Sequence, residues 1–290
     1  MNISEHTLTF KQEMRRRKFG EQTVKNYSSY IRKFFDQSTK DHPKNINEQD
    51  IKTFLASFIE PNTQRAYHSA IKKFYEICLH QKEKFKYIPY CRKSKKLPVV
   101  LSVEEVQRLF NACTNIKHKT ILALLYSCGL RVSELINLRW ANIDRSRMVI
   151  NIVQAKGHKD RQVPLTDTLI ELLTAYYRQY KSVNYVFNGQ GSEQYSERSV
   201  GQVVKQLAIK AGIANKRVYT HLMRHCSATH MLESGIDLNI IQRLLGHSSV
   251  KTTAVYAHIS HNLISRIPSP LSQIRLWKHP YFSEPPTWAI

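Results

Sequence analysis

A basic, proline-containing run divides this chain of 290 residues into two parts. Between Lys82 and Lys96 there are seven basic side chains and one acidic side chain, and prolines stand at 89 and 98. No apolar residues recur there at helical spacing, so the run is not expected to be a helix. We therefore predict a helical domain, a basic linker, a second domain and a C-terminal tail, at 1–87, 88–100, 101–270 and 271–290.

The first part has apolar residues every three or four positions, which is typical of amphipathic helices. Val24, Ile31 and Phe34 form one such series, and Pro61 is placed to begin another helix. The pattern predicts a small bundle of about four helices. The basic residues that we expect to contact phosphates are Arg15, Arg16, Lys72 and Lys73 in the bundle and Lys93, Lys95 and Lys96 in the linker. The alternative for each of them is an ordinary solvated charge.

The charge of the chain indicates its partner. There are 44 Lys and Arg residues against 22 Asp and Glu residues, a formal charge of +22, and only 9 glycines. So large a positive charge favours a polyanion such as DNA, and the shortage of glycine favours helices. The longest apolar stretch, near 121–130, falls short of the ~18–20 residues that span a bilayer. We expect no membrane span, no secretion signal and a cytoplasmic protein. The five scattered cysteines predict no disulfide framework.

The second part mixes helices with one short β-hairpin. Ser102 and Glu105 are spaced as a capping box that opens a helix. Further helices are predicted at about 118–127 and 131–138. The β-branched run 148–153, a polar turn and the run 161–165 predict two antiparallel strands. Gly235 and Gly246 stand where helices are expected to end. The predicted fold class is therefore mainly α, with a small antiparallel sheet in the second domain.

Arg131 stands between two predicted helices, at the end of the most apolar segment. A buried arginine must be paired or must face a ligand, because an isolated charge in a core is costly. Glu134 follows one helical turn later and is a candidate partner. The residues alone leave two interpretations open, a structural ion pair and a site for an anion.

Further candidates lie on a turn and near the C-terminal end. Lys156 occupies the predicted hairpin turn. His221 and Arg224 share one face of a helix near its N-terminus, with Thr220 as the expected N-cap, and such a terminus favours anions. His247 follows Gly246 on a predicted loop. Tyr256 lies on a short helix beyond it.

These residue types suit phosphodiester chemistry without a metal. Arginines neutralise charge on non-bridging oxygens, a tyrosine forms a covalent intermediate, and histidine and lysine move protons. A zinc site is the alternative for the histidines, but no cysteine or acidic cluster completes a ligand set. We therefore predict no metal and no cofactor.

The chain resembles the tyrosine recombinases, or phage-integrase-type site-specific recombinases. Four segments carry the resemblance in the family's order: Gly129-Leu130-Arg131-Val132-Ser133-Glu134-Leu135; Lys156-Gly157 with Lys159, Arg161, Val163, Pro164 and Leu165; His221 with Arg224, His225, Ala228 and Thr229; and Leu245-Gly246-His247 with Thr252, Thr253, Tyr256 and His258. The resemblance as a whole covers about 98–270. The N-terminal bundle is similar to the family's SAM-like core-binding domain in length, helicity and charge only.

The resemblance implies a role for each matching position. Tyr256 would attack the scissile phosphate, form a 3′-phosphotyrosyl bond and release a 5′-hydroxyl. Arg131, Arg224 and His247 would hold the phosphate, Lys156 would protonate the leaving oxygen, and His221 would assist proton transfer. Glu134 and His225 would support these groups without reacting.

The resemblance also implies partners. The family acts as a homotetramer on two duplex DNA sites, exchanges strands through a Holliday junction and needs no cofactor; accessory DNA-bending proteins are a further expected partner. Residues 259–274 would pack on a neighbouring subunit, and a mobile-element or Xer-like enzyme is favoured. The rival functions are a non-catalytic DNA-binding accessory protein, a metal-dependent nuclease that uses the histidines, and a relaxing activity without site preference.

Overall fold

The computed structural model describes residues 3–40, 42–92, 99–153, 160–191, 193–246 and 253. The chain forms two compact units, Met1–Lys96 and Leu97–Ile290. Within the described ranges, no helix is long and apolar enough to cross a membrane.

The first unit contains the four helices that the periodicity predicts. They are α1 (Ile3–Arg16), α2 (Glu21–Asp36), α3 (Glu48–Ala56) and α4 (Pro61–Cys78). Pro61 is the first residue of α4, where a missing backbone N–H costs nothing. The core is aromatic: Phe10 and Phe35 meet the ring of Phe74 edge to face, at centroid distances of 5.5 and 5.1 Å. Such pairs fix α1 and α2 against α4.

The described beginning of the predicted linker packs against this bundle. Ile88 is buried, and its carbonyl lies 2.7 Å from Nε2 of His68. Arg65 donates to the carbonyl of Cys91 at 2.6 Å and lies over the ring of Tyr90. Residues 88–91 are therefore held by α4. The linker at 88–100 stays a prediction, and 93–98 lie outside the described residues.

The second unit is helical around a small sheet. Its helices are α5 (Val103–Asn111), α6 (Ile116–Ser127), α7 (Val132–Ile136), α8 (Asp167–Tyr180), α9 (Glu197–Lys210), α10 (Thr220–Glu233) and α11 (Leu238–Leu245). Helix α6 is apolar on nearly all sides, and it packs against α7, α8, α9 and α10. It is therefore the centre of the unit, and its end delivers the chain to Arg131.

The antiparallel sheet has the order β1-β2-β3, with strands Ile143–Asp144, Val149–Ile152 and Arg161–Pro164. The predicted pair of strands is confirmed, with Ile152 opposite Arg161. The two-residue β1 was not predicted, because so short a strand leaves no alternating pattern. Met148, expected in a strand, instead adopts a φ of 54° in the preceding turn.

Local signals set several helix ends correctly. Ser102 and Glu105 form the predicted capping box: the Ser102 N–H donates to the carboxylate at 2.7 Å, and the Glu105 N–H donates to the hydroxyl at 3.2 Å. Gly246 ends α11 with a φ of 64°, as expected. The N-cap prediction for α10 is wrong: Tyr219 holds that position, and Thr220 is the first helical residue. Helix α7 is also shorter than the predicted 131–138.

Candidate active site

Arg131 connects α6 to α7 and makes the ion pair that the sequence left open. Its Nη1 lies 2.6 Å from Oε1 of Glu134, and its backbone N–H donates to Oε2 at 2.9 Å. Its Nη2 donates to the carbonyl of Gly246 at 3.3 Å. The Arg131 side chain is 30% exposed, so it is paired and still reachable by a ligand.

Arg224 is fully buried on α10. Its Nη1 donates to the carbonyl of Gly129 at 2.6 Å, and its Nη2 donates to the carbonyl of Leu245. Its guanidinium therefore joins the end of α6 to the end of α11. Its side chain has no solvent exposure, whereas that of Arg131 is partly exposed.

Arg161 is a third arginine of the site, and the sequence analysis assigned it no role. From the start of β3 it makes two bonds to Glu134, from Nη1 to Oε1 at 2.9 Å and from Nη2 to Oε2 at 2.7 Å. Its Nε donates to the carbonyl of Leu244 at 2.7 Å. The available signal was the position of a charged residue on the inward face of a strand whose Val163 is apolar.

Glu134 is the acceptor that Arg131 and Arg161 share. Burial acts to raise the pKa of its carboxyl, but the hydrogen bond and charge of Arg161, together with the hydrogen bonds of Arg131, outweigh burial and lower the pKa to about 2. The carboxylate is therefore ionised at neutral pH. Its attraction fixes both guanidiniums.

Three guanidiniums meet the last carbonyls of α11. Arg161, Arg224 and Arg131 donate in turn to the carbonyls of residues 244, 245 and 246. A helix C-terminus carries partial negative charge, so cations are stabilising there. The structure thus brings the two predicted phosphate-binding arginines to one helix end, directly before position 247.

His221 and His225 lie together on α10, with ring centroids 4.7 Å apart. Burial and then the charges of Arg224 and Arg131 lower the pKa of His221, although its side chain reaches the surface. Burial, His221 and Arg224 lower the pKa of His225 to about 4. Both rings are therefore neutral at pH 7. A neutral His221 can accept a proton.

Several predicted site residues lie outside the described residues: Lys156, His247 and Tyr256 of the site and Lys93, Lys95 and Lys96 of the linker. The same holds for the tail at 271–290. Their roles remain predictions. Among the residues that the structure describes, no three His, Cys, Asp or Glu side chains are grouped as metal ligands.

The basic residues of the bundle are mostly paired at the surface. Arg15 bonds Glu21 at 2.8 Å, Arg16 bonds Glu13 at 2.9 Å, and Lys73 bonds Glu76 at 3.0 Å. Exposed pairs of this kind contribute little stability. Lys72 is exposed on α4. Contact of these four residues with DNA remains a prediction.

Gly129 is required where the ends of α6 and α11 meet. Its φ is +57°, and a Cβ built there would lie 2.6 Å from Cδ2 of the buried Leu245. We expect Gly129→Ala to lower the free energy of unfolding by about 2–4 kcal/mol, since left-handed strain and overpacking add. Urea unfolding measures this change in the free energy of unfolding.

Gly212→Ala is the control for Gly129→Ala, because Gly212 has a φ of +67° with no atom near the added Cβ. We expect about 1 kcal/mol there, and equal losses for the two variants would contradict the clash.

Solved structures share this fold. A lambda integrase (residues 75–356) dimer bound to a COC′ core site aligns with a TM-score of 0.75 at 18% identity, over 88% of this chain and 95% of that chain. XerH recombinase, in a post-cleavage complex with palindromic difH substrate, aligns with a TM-score of 0.70 at 21% identity, over 88% and 82%. XerA recombinase is 28% identical, with a TM-score of 0.55, over 94% and 99%. The chain therefore has the fold of the lambda integrase and Xer recombinase structures.

Sequence comparison gives the family. Residues 99–262 match the phage integrase family, and residues 8–84 match its N-terminal SAM-like domain. A putative integrase/recombinase y4qK of Sinorhizobium fredii is 33% identical, over 89% of this chain and 88% of its own length. Tyrosine recombinase XerD of Staphylococcus haemolyticus is 33% identical, over 86% and 91%. The chain belongs to the phage integrase family, the tyrosine-type site-specific recombinases that break and rejoin DNA.

Proposed function

We propose that this chain cuts and rejoins DNA at specific sites through a 3′-phosphotyrosyl bond at Tyr256, without a metal. One observation carries the proposal: Arg131 and Arg224, from separate elements, both donate to the end of α11. The chain continues from there to His247 and Tyr256. This supports a phosphate site beside the nucleophile.

The described residues supply the charge that the reaction needs. Cleavage builds negative charge on the non-bridging oxygens, and fixed guanidiniums stabilise that charge in the transition state. Arg131 is partly exposed and supplies one of these guanidiniums. Arg224 supplies the second after the end of α11 rearranges on DNA.

Proton transfer completes the proposed reaction. The Tyr256 phenol loses its proton as it attacks phosphorus, and His221, neutral at pH 7, is suited to accept it. Lys156 donates a proton to the leaving 5′-oxygen. His247 hydrogen-bonds the phosphate, and His225 supports His221 through their ring contact. Rejoining reverses these steps with a different 5′-hydroxyl.

We also propose the assembly and its partners. The substrate is double-stranded DNA carrying recombination sites, and the active form is a homotetramer. The strand exchange that it catalyses proceeds through a Holliday junction. A lambda integrase tetramer bound to a Holliday junction shares the fold with a TM-score of 0.75 at 16% identity, which supports this assembly. Accessory DNA-bending proteins and a cytoplasmic location on the nucleoid belong to the same proposal.

The deciding experiment traps the covalent intermediate. The full chain is incubated in EDTA with a duplex that carries a nick near the cleavage site, so that the cleaved fragment is lost and rejoining fails. We expect a protein–DNA adduct that survives denaturation. A non-catalytic accessory protein would form none, and a metal-dependent nuclease would be inactive in EDTA.

The linker supplies a separate prediction about binding. Lys93 and Lys96 carry charge in the segment that we expect to lie along phosphates. We expect Lys93→Ala with Lys96→Ala to reduce the slope of log affinity against log salt concentration by about 0.9 per lost contact. Titration by fluorescence anisotropy over several salt concentrations measures the slope. An unchanged slope would show that these lysines are only solvated.

A further inference from the structure

Arg161 is a buried charge to which the proposed reaction gives no role. Its side chain and that of Glu134 are each 6% exposed, so both are almost fully removed from water. Burying two such groups is expensive, and a well-packed apolar pair would often serve stability equally well. Stability alone therefore does not account for a charged pair at this position.

The four contacts to Glu134 show what Arg161 does. Arg161 and Arg131 each reach both oxygens: Oε1 accepts from the Nη1 atoms of both arginines, and Oε2 accepts from Nη2 of Arg161 and the backbone N–H of Arg131. The two guanidiniums thus share one carboxylate. The trio carries a net charge of about +1, because Arg131 and Arg161 outnumber Glu134.

Removing Arg161 would change the charge that Arg131 offers to DNA. Glu134 would then belong to Arg131 alone, and the remaining pair would be neutral. A neutral pair attracts a phosphate weakly and stabilises little of the charge that builds during cleavage. Arg161 would thus act at the reacting phosphate without touching it.

We propose that Arg161 is a positioning residue for strand cleavage: it holds Glu134 jointly with Arg131 and so keeps the charge of Arg131 available to the scissile phosphate. The inference rests on the proposed function. The alternative is that Arg161 acts through Lys156, because Arg161 begins the strand that follows Lys156 in the sequence. The experiment separates the two routes.

The test compares three linkages at the cleavage site of the nicked duplex, with the full chain under single-turnover conditions. The first is the ordinary phosphate. The second is a methylphosphonate, in which a methyl group replaces one non-bridging oxygen and removes the charge that Arg131 must neutralise. The third is a 5′-bridging phosphorothiolate, whose thiolate leaves without a proton from Lys156.

On the ordinary phosphate we expect Arg161→Gln to slow adduct formation by about 100-fold, the scale of one lost transition-state donor. On the methylphosphonate the gap between wild type and variant should narrow at least tenfold. On the phosphorothiolate the gap should stay unchanged. The proposal would be overturned if the rate difference between wild type and Arg161→Gln narrowed only on the phosphorothiolate. It would also be overturned if that difference narrowed on neither modified linkage.

A double variant provides the sharpest check. Glu134→Gln with Arg161→Gln leaves Arg131 as the one charge of the trio, so the net charge returns to about +1. We expect the double variant to cleave at least tenfold faster than Arg161→Gln alone. A merely structural role predicts no recovery, and a double variant as slow as the single one would overturn the proposal.

Two further measurements distinguish failure of folding from failure of positioning. Glu105→Gln breaks a different contact, the 2.6 Å pair with Lys216, and should keep the wild-type cleavage rate even if its Tm falls. Arg161→Lys retains the charge, and its rate of adduct formation should lie between those of wild type and Arg161→Gln. If wild type itself formed no adduct, the proposed function and this inference would both fail. If wild type formed the adduct and Arg161→Gln formed it at the same rate, this inference alone would be contradicted.

Discussion

Tyr256→Phe is expected to form no covalent adduct with the nicked duplex, while wild type forms one in EDTA. The phenol oxygen is the atom that would bond to phosphorus, and the substitution removes it with almost no change in volume or apolar area. DNA binding should therefore stay within about threefold of wild type, as judged by a mobility shift. The expected loss is complete within detection, since no other group of the proposed site can take over as nucleophile.

Tyr219 offers a matched control for that result. It is 42% exposed at the N-cap position of α10, two residues before His221, and so it is a second tyrosine close to the site. Tyr219→Phe should form the adduct at the wild-type rate. Peptide mapping of the wild-type adduct should place the nucleotide on Tyr256. If Tyr256→Phe formed the adduct, or if Tyr219→Phe lost it, the assignment of Tyr256 as the nucleophile would be wrong.

The parts of the fold that could be predicted depend on local chemistry. The capping box at Ser102 and the proline at the start of α4 act through neighbouring backbone groups, so their sequence pattern is sufficient. The N-cap prediction for α10 is wrong by one residue, because the exact end of a helix depends on the path of the chain as well as on residue type. Thr220 is the better capping residue, but the chain around it places Tyr219 there.

Within the site, tertiary contacts decided what the sequence could not. The spacing of Arg131 and Glu134 allowed an ion pair or an anion site, and the structure contains the pair on an arginine that stays partly exposed. Arg161 was part of a recognised segment, yet no local pattern shows that this strand residue bonds the carboxylate of Glu134 on helix α7. Residues 88–91 have the sequence pattern of a linker because the residues that hold them, Arg65 and His68, lie 20 or more positions earlier in the chain.

The second large effect is expected at Arg224, where structure and reaction depend on the same guanidinium. Glutamine is shorter and carries one donor nitrogen, so it cannot reach the carbonyls of Gly129 and Leu245 together. At least one buried acceptor then loses its donor, which costs about 1–3 kcal/mol, and relief from burying a charge offsets part of that cost. We expect Arg224→Gln to lower the free energy of unfolding by about 2 kcal/mol.

The same variant should also lose at least about 10³-fold in the rate of adduct formation, since a guanidinium that meets transition-state charge contributes on that scale. Arg131→Gln separates the two effects. Its side chain is 30% exposed, and Glu134 keeps its bonds to Arg161, so cleavage should fall comparably while stability changes by less than about 1 kcal/mol. Urea unfolding gives the free energy of unfolding, and single-turnover cleavage gives the rate of adduct formation. Both are measured at a temperature where each variant is folded. An Arg224→Gln protein that is destabilised yet cleaves at the wild-type rate would show that Arg224 only braces α6 against α11, and the phosphate would then need another partner.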